Sequence, residues 1–344
     1  VDSAAAGYAW LATGVLLVAT GVTLLTGRAG WWRLGAVAVL ASQALVVSQR
    51  ADARAGTVAN VLLAVAVLHG WCATGHRSAR ARYRRGVAEA LAAHPGTTGT
   101  RVPLTEDDLA HLPAAVAQYL RRTGSVGLPP VDRARVLLRG RIRGGPRDRW
   151  MTFTGEQVVT CGAVPTRHFL LDATAAGLPV DVLHELTAGR ASMRADLLSV
   201  FPVVRGAGPQ LDQSESVTLL NDLCLTMPSA LVAAPITWEA LAPDRVGAAF
   251  RHGGRTVRAV LVFDADGDLV DVMSDDRYRA SRDGRELTAE HWSTPVREYA
   301  VQAGRRLPSA ASGLWHPSAG EPFVYAEMRF CGAGLDDERG PVGG

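Results

Sequence analysis

Residues 8–26 read YAWLATGVLLVATGVTLLT, and the pattern returns as WRLGAVAVLASQALVVS at 32–48 and TVANVLLAVAVLHGWCAT at 57–74. No Asp, Glu or Lys interrupts any of the three. Each run is about 17–19 residues long, near the least that crosses a hydrocarbon core of about 30 Å. Arg33 opens the second and His69 lies near the end of the third, while Trp31, Trp32 and Trp71 sit near predicted ends, as interfacial indoles do. A cleaved signal peptide fits poorly, because no basic stretch precedes Tyr8 and the apolar pattern recurs. Lipid is therefore the expected solvent for the first third of the chain.

Averaged over its whole length the chain looks ordinary, which hides the crowding of apolar residues into the first 75 positions. It has 344 residues, 48% of them hydrophobic and 20% charged, with a formal net charge of +3. The basic residues are spread out, and their densest cluster abuts the third apolar run. That placement favours lipid headgroups over nucleic acid. The cluster is His76, Arg77, Arg80, Arg82, Arg84 and Arg85; the earlier loops carry Arg28 and Arg33, then Arg50 and Arg54 offset by Asp52. The positive-inside rule keeps the largest cluster in the cytoplasm, which puts the main domain inside and the N-terminus outside a bacterial cytoplasmic membrane. If the middle run, rich in Ala and Gly, forms a hairpin instead of a span, both termini share one side.

Beyond the membrane, Arg77 to Ala93 reads as a helix stopped at His94-Pro95-Gly96. Thr105 and Asp108 have capping-box spacing, Pro113 suits a first helical turn, Val116, Tyr119 and Leu120 recur at helical spacing, and Gly124 stops them. From Arg133 the pattern becomes short β runs: 134–142, 151–160, 167–172, 180–186, 190–196, 245–252, 256–264, 269–274, 296–301 and 323–330. Their close spacing favours hairpins. Gln213 to Leu223 is the main helical interruption, with Asp212 as N-cap and Glu215 completing the box. The expected fold is α+β: N-terminal transmembrane α-helices, then a curved antiparallel β-sheet domain with a few helices. Residues 1–76 form the anchor, 77–130 a helical neck, 131–335 the β domain around an apolar interior, and 336–344 a disordered tail.

Nucleotide, hydrolase and zinc-protease motifs are missing from the sequence. The cysteines, Cys72, Cys161, Cys224 and Cys331, form no Cys-x-x-Cys pair, so neither a zinc site nor a disulfide framework is indicated. Asp264-Ala265-Asp266-Gly267-Asp268 has Asp275 where a calcium loop needs its bidentate Glu, and reads as a hairpin turn. Neither a metal nor a cofactor is called for. Ser274-Asp275-Asp276-Arg277-Tyr278 follows an apolar strand. In an extended chain Asp275 and Arg277 share one face, Asp276 and Tyr278 the other. A carboxylate facing the interior of a curved sheet would bind a polar group or act as acid or base; the ordinary alternative is a sheet-edge ion pair. Asp222 and Asn221 lie near the predicted helix end, against the helix dipole. The candidate catalytic set is thus Asp275, Asp276, Arg277, Asp222 and Glu215. Tyr278, Asn221, Trp238, Trp292 and His184 are candidate substrate contacts, the two Trp being equally suited to a core.

Several landmarks occur together: Trp31-Trp32, Ala55-Gly56-Thr57-Val58-Ala59-Asn60, Leu112-Pro113-Ala114-Ala115-Val116 with Tyr119-Leu120, and Leu219-Leu220-Asn221-Asp222-Leu223-Cys224. Pro228 with Ala230-Leu231, Thr237-Trp238-Glu239, the SDDRY stretch, and Trp292-Ser293-Thr294-Pro295 with Tyr299 complete them. In these the sequence resembles a bacterial, largely actinobacterial family of unknown function with N-terminal membrane helices, over nearly the whole chain. The resemblance implies the architecture and no reaction. A curved sheet beside a membrane favours a protein that binds a lipid or other lipophilic small molecule in a cavity of the sheet. The alternatives are a cofactor-independent isomerase or cyclase on such a molecule, and a membrane scaffold for protein partners.

Overall fold

The computed structural model describes residues 4–28, 30–49, 54–94, 102–162, 164–281 and 286–336. The predicted stop at Pro95-Gly96, the loop charges Arg50 and Asp52, and the tail after Asp336 lie outside the described residues. The chain divides into two compact units: one runs to Arg82 and takes in Asp196–Pro202, and the other holds the remainder from Tyr83.

In the first unit the three apolar runs are helices α1 (Ala4–Leu25), α2 (Trp31–Ser48) and α3 (Arg54–Thr74). Their 22, 18 and 21 residues give lengths of about 33, 27 and 31 Å, enough to cross a membrane. The middle run is one continuous helix, so it forms no hairpin. Large apolar side chains point outward along the bundle, among them Leu11, Val15, Leu40, Val58 and Leu62. Small residues line the contacts between helices. A Cβ on Gly35 would lie 2.6 Å from Val67, and one on Gly70 would lie 2.8 Å from Trp31. Several polar groups find partners within the bundle: Asn60 Nδ2 donates to Gln43 Oε1 at 2.9 Å, and the Thr13 and Thr20 hydroxyls donate to carbonyls one turn back in α1, while Trp10 Nε1 is buried without a partner.

After α4 (Ala79–Ala93), the Thr105 amide and hydroxyl both donate to Asp108 Oδ2. The helix they start is only a 3-10 turn, Asp107–Leu109, because Pro113 follows too soon for α-helix to propagate. α5 (Ala114–Arg122) begins after Pro113 and ends before Gly124 at φ +69°. It buries Val116, Tyr119 and Leu120, and the Tyr119 hydroxyl donates to the Cys224 carbonyl at 2.8 Å.

The strands are β1 (Arg133–Ile142), β2 (Met151–Thr160), β3 (Thr166–Ala175), β4 (Leu178–Thr187), β5 (Arg190–Leu197), β6 (Phe201–Ala207), β7 (Ile236–Ala242), β8 (Arg245–His252), β9 (Arg255–Phe263) and β10 (Leu269–Ser274). There follow β11 (Tyr278–Ala280), β12 (Leu287–Ala289), β13 (His291–Ser293), β14 (Val296–Gln302), β15 (Arg305–His316) and β16 (Phe323–Leu335). Except for the β11–β12 ribbon they form one antiparallel sheet of order β6-β5-β4-β3-β2-β1-β16-β15-β13-β10-β9-β8-β7, with β14 on β15. β16 thus lies mid-sheet, between β1 and β15. Strands β6, β7, β11, β12, β13 and β15 escape the sequence reading. β15 carries Pro308 and Gly313 in a run of small residues, and β6 is exposed on both faces, so neither alternates cleanly.

Helix α6 (Pro209–Thr226) is buried almost throughout. It touches strands from both arms of the sheet: Glu215 faces His184 of β4, and Ser216 Oγ lies 3.0 Å from His252 Nδ1 of β8. Those strands are nine places apart, roughly 43 Å on a flat sheet, so the sheet must roll around the helix. The interior is therefore filled by a helix. At one end the arms touch, where the turns before β5 and before β9 bring Gly189 and Gly253 together. A Cβ on Gly189 would fall 2.3 Å from the Gly253 Cα, and both residues have positive φ. Arg255 bridges the Gly189 carbonyl and Asp212 Oδ2 there, at 2.6 and 3.1 Å.

Asp212 is not the N-cap. Pro209 takes the first helical position after Gly208, since proline has no N–H to satisfy, and the helix starts upstream. The Asp212 carboxylate instead accepts the Ala191 amide of β5. Nor is Asp336 part of a loose tail: its Oδ1 accepts the amides of Asp132 and Arg133.

Candidate functional site

Strand β3 is buried from Thr166 to Leu171, and Arg167 stands within it. Its side chain is only 6% exposed, so the guanidinium needs partners inside. Nε donates to Asp222 Oδ2 at 2.6 Å, Nη1 to Glu215 Oε2 at 3.0 Å and Nη2 to Gln157 Oε1 at 2.9 Å. Glu215 and Asp222 are seven residues apart on α6, about two helical turns, and so share one face. Burial raises both carboxyls and Arg167 opposes it. For Glu215 the attraction of Arg167, with His184 behind it, wins and holds the group at about 2. For Asp222 burial wins and the group is raised, although it makes the shorter contact. The two share Arg167 and both also feel Arg277, so they titrate as a coupled pair.

Around this cluster stand further residues singled out in the sequence. His184 Nδ1 is 3.4 Å from Glu215 Oε1, an ion-pair distance but a long one for a hydrogen bond. Arg277 is centred 4.3 Å from the Trp292 ring and 5.5 Å from that of Trp315. Trp292 is buried and donates its indole N–H to Tyr325 Oη at 3.1 Å. Asn221 Oδ1 and Arg277 Nε are buried without a hydrogen-bond partner.

Asp275 and Asp276 lie elsewhere. β10 ends at Ser274, whose hydroxyl accepts the Asp276 amide at 3.0 Å and bends the chain. The extended alternation expected for this stretch is lost at that bend. Both acids line a groove on the outer face of β7, β8, β9 and β10, with a volume of about 350 Å³. Leu241, Val260 and Met273 contribute apolar surface, and Glu239, Arg258 and His291 stand with the acids among the polar lining. Asp275 Oδ1 is 2.7 Å from His291 Nδ1, and Asp276 Oδ2 accepts the Arg258 amide at 2.7 Å. Behind them His291 meets His316 edge-on, with ring centres 4.9 Å apart, and His316 Nε2 is 2.8 Å from Ser293 Oγ. Burial, then the charge of His291, lowers the His316 pKa. Tyr278 joins neither group, its amide donating to Ser214 Oγ. Trp238 stands on β7 between Thr237 and Glu239, which line the groove, and so faces away from it.

The inner cluster thus gathers Glu215, Asp222, His184, Arg277 and Trp292, with Asn221 next to Asp222 in the chain, and the groove gathers Asp275 and Asp276. Sequence reasoning missed Arg167 and His291. A signal for Arg167 existed, because it falls at period two with Phe169 and Leu171, a cation on the apolar side of a strand. The groove depends on the adjacency of β7 to β10, which no local pattern encodes. Among the described residues, no group of three or more His, Cys, Asp and Glu side chains is placed to hold a metal ion.

Residues 102–328 match the model of DUF6544, a family of unknown function. A search of the curated proteins finds no match. Among solved structures, the chain resembles a DUF1329 family protein from Desulfovibrio piger, at 12% identity and TM-score 0.39, over 66% of this chain and 94% of that one. A putative outer membrane lipoprotein-sorting protein domain from Vibrio parahaemolyticus matches at 9% identity and TM-score 0.34, over 61% and 87%. A β-barrel-like protein of the DUF1849 domain of unknown function, from Brucella abortus, matches at 9% identity and TM-score 0.23, over 60% and 99%.

Proposed function

The chain belongs to that family, DUF6544, and since the family brings no activity with it, we propose from the chain's own geometry that it is a membrane-anchored binding protein for an amphiphilic small molecule or lipid. The observation that carries this reading is the outer groove. Its 350 Å³ falls within the range of small-molecule sites, and it joins an apolar surface to a polar group. A ligand tail lies over Leu241, Val260 and Met273. Its polar end meets Asp275, Asp276 and Glu239, three carboxylates against Arg258 and His291, so it carries hydrogen-bond donors or positive charge. Helices α1 to α3 hold the protein in a bacterial cytoplasmic membrane. The arginines from Arg77 to Arg85 keep the large domain on the cytoplasmic side.

Native mass spectrometry of the detergent-solubilised protein tests this. The wild type is expected to retain a lipophilic molecule, and Met273→Trp, which fills the groove, to lose it with an unchanged circular dichroism spectrum. Retention by Met273→Trp, or an empty wild type after exposure to a bacterial lipid extract, refutes the groove as the site. An empty wild type that captures a protein partner would favour a scaffold.

A second reading rests on the inner cluster, where two carboxyls are pushed apart in pKa around one arginine beside the unpartnered Asn221 Oδ1 and Arg277 Nε. That arrangement suits a cofactor-independent isomerase or cyclase, with Asp222, the more readily protonated of the two carboxyls, as the candidate acid or base and Glu215 as a fixed negative charge. Conversion of the retained molecule by the wild type, lost in a folded Asp222→Asn variant, would favour it. Binding without conversion would exclude it.

A further inference from the structure

The sheet ends in β6, and β6 is exposed on both of its faces. Phe201 is 54% exposed and Val203 55%, with Val204 at 37%. Phe201 and Val203 point to one face of the strand and Val204 to the other. A terminal strand in water turns one face to a core and protects its free edge with charge or distortion. Here apolar side chains face outward on both sides, so water is a poor solvent for this strand.

The turn leading into β6 belongs to the first unit. Residues 196–202 cluster with the three apolar helices, and the Leu198 carbonyl oxygen is 2.8 Å from His69 Nδ1. His69 lies in the last two turns of α3, beside Gly70, which abuts Trp31, and close to Trp71, which is 55% exposed. These residues mark the end of the bundle where indoles meet the membrane interface. The turn itself is unusual. Leu198 and Ser199 have φ of +55° and +56°, and the Val200 amide donates to the Leu197 carbonyl at 3.1 Å. Such a turn ordinarily takes Asn-Gly, and a leucine held there points to a role beyond turning the chain.

We propose that the β5–β6 turn is a second membrane contact, in which Leu198 and Phe201 enter the boundary between headgroups and acyl chains beside the end of α3. The proposal rests on the reading of α1 to α3 as membrane spans. Its occupant is lipid, because the turn is continuous with a surface that already requires lipid. The apolar stretch ends at Arg205, which is exposed and returns the strand to water.

The test places an environment-sensitive fluorophore at Phe201→Cys, in a Cys72→Ser, Cys331→Ser background. The full chain is held as one copy per nanodisc of phosphatidylethanolamine and phosphatidylglycerol. Val15→Cys, in mid-α1, and Val301→Cys, 76% exposed in the sheet, are the lipid and water controls. Position 201 is expected to emit to the blue of position 301. Brominated acyl chains should quench it at least twofold, and aqueous iodide weakly. Lipid quenching at 15 but not at 201 overturns the proposal and leaves the anchor standing. No lipid quenching at 15 removes the anchor reading, and the proposal with it. Shielding of 201 from both quenchers, or shielding that grows with protein concentration in detergent, assigns the strand to protein contact and also overturns the proposal.

Discussion

Replacing Arg167 by Met removes the guanidinium bonded to both Glu215 and Asp222, at 3.0 and 2.6 Å. The Arg167 and Glu215 side chains are 6% and 5% exposed, so water does little to replace the lost partner. A carboxyl held at about 2 in the fold, against an ordinary 4.5, contributes roughly 3 kcal/mol at pH 7. The expected loss is therefore about 3 kcal/mol, at the low end for a broken buried pair. In a unit of this size that lowers the melting temperature by about 10 °C. The sign with pH follows from the depressed pKa. In the wild type, the Glu215 contribution is complete above about 4.5 and fades as pH falls toward 2. In the variant both acids take up protons on acidification, so the deficit shrinks from pH 7 toward pH 3. Thermal unfolding followed by near-ultraviolet circular dichroism, at several pH values, reads both effects. Adding Glu215→Gln and Asp222→Asn to the Met variant should recover more than half of the loss. A deficit below about 1 kcal/mol, or one constant between pH 7 and pH 3, would refute the assigned charge balance.

Burial pushes Asp271 up to about 6 against the amides of Thr294 and Val272, so its share of stability is present at low pH and lost as pH rises from about 4 through 6. Asp271→Asn should flatten that part of the stability profile and gain about 1 kcal/mol at pH 7.5, a figure reduced for its partial exposure; parallel profiles would contradict it. Gly189→Ala adds a Cβ 2.3 Å from the Gly253 Cα at φ +72°, whereas Gly177, at φ +83°, has nothing within 4 Å. The first should cost about 3 kcal/mol in chemical denaturation and the second about 1 kcal/mol, and equal losses would sink the close-contact account. Tyr119→Phe removes the hydroxyl that reaches the Cys224 carbonyl and should lower stability by about 1 kcal/mol without changing the spectrum of the native state.

What the sequence made legible follows from where each signal is stored. The three N-terminal helices were readable because a long apolar run without Asp, Glu or Lys is a local signal. The strands Met151–Thr160 and Arg245–His252 were readable because alternation and turn residues are local. β15 was not, since it buries small residues on both faces and contains Pro308. The Glu215 and Asp222 carboxyls were noticed, but not as one site, because their partner Arg167 lies 48 and 55 residues away. Asp275 and Arg277 were assigned to one face by an extended-chain argument that the Ser274 hydroxyl defeats. The Gly189–Gly253 contact was invisible for a related reason: each glycine looks like an ordinary turn residue until the other arm of the sheet arrives.

Biosynthesis meets a particular constraint in β16. The ribosome releases the three apolar helices first, then β1 to β6, then β7 to β15, and these two strand sets are joined in the sheet only through β16. Ala134 must wait for Leu335 before its neighbour on that side exists. Until then the nascent chain carries two half-sheets with raw edges at β1 and β15, open to pairing with other emerging chains. Such late, distant pairing is slow. A chain broken off before Phe323 would leave two half-sheets with no shared strand in place of a slightly shorter protein.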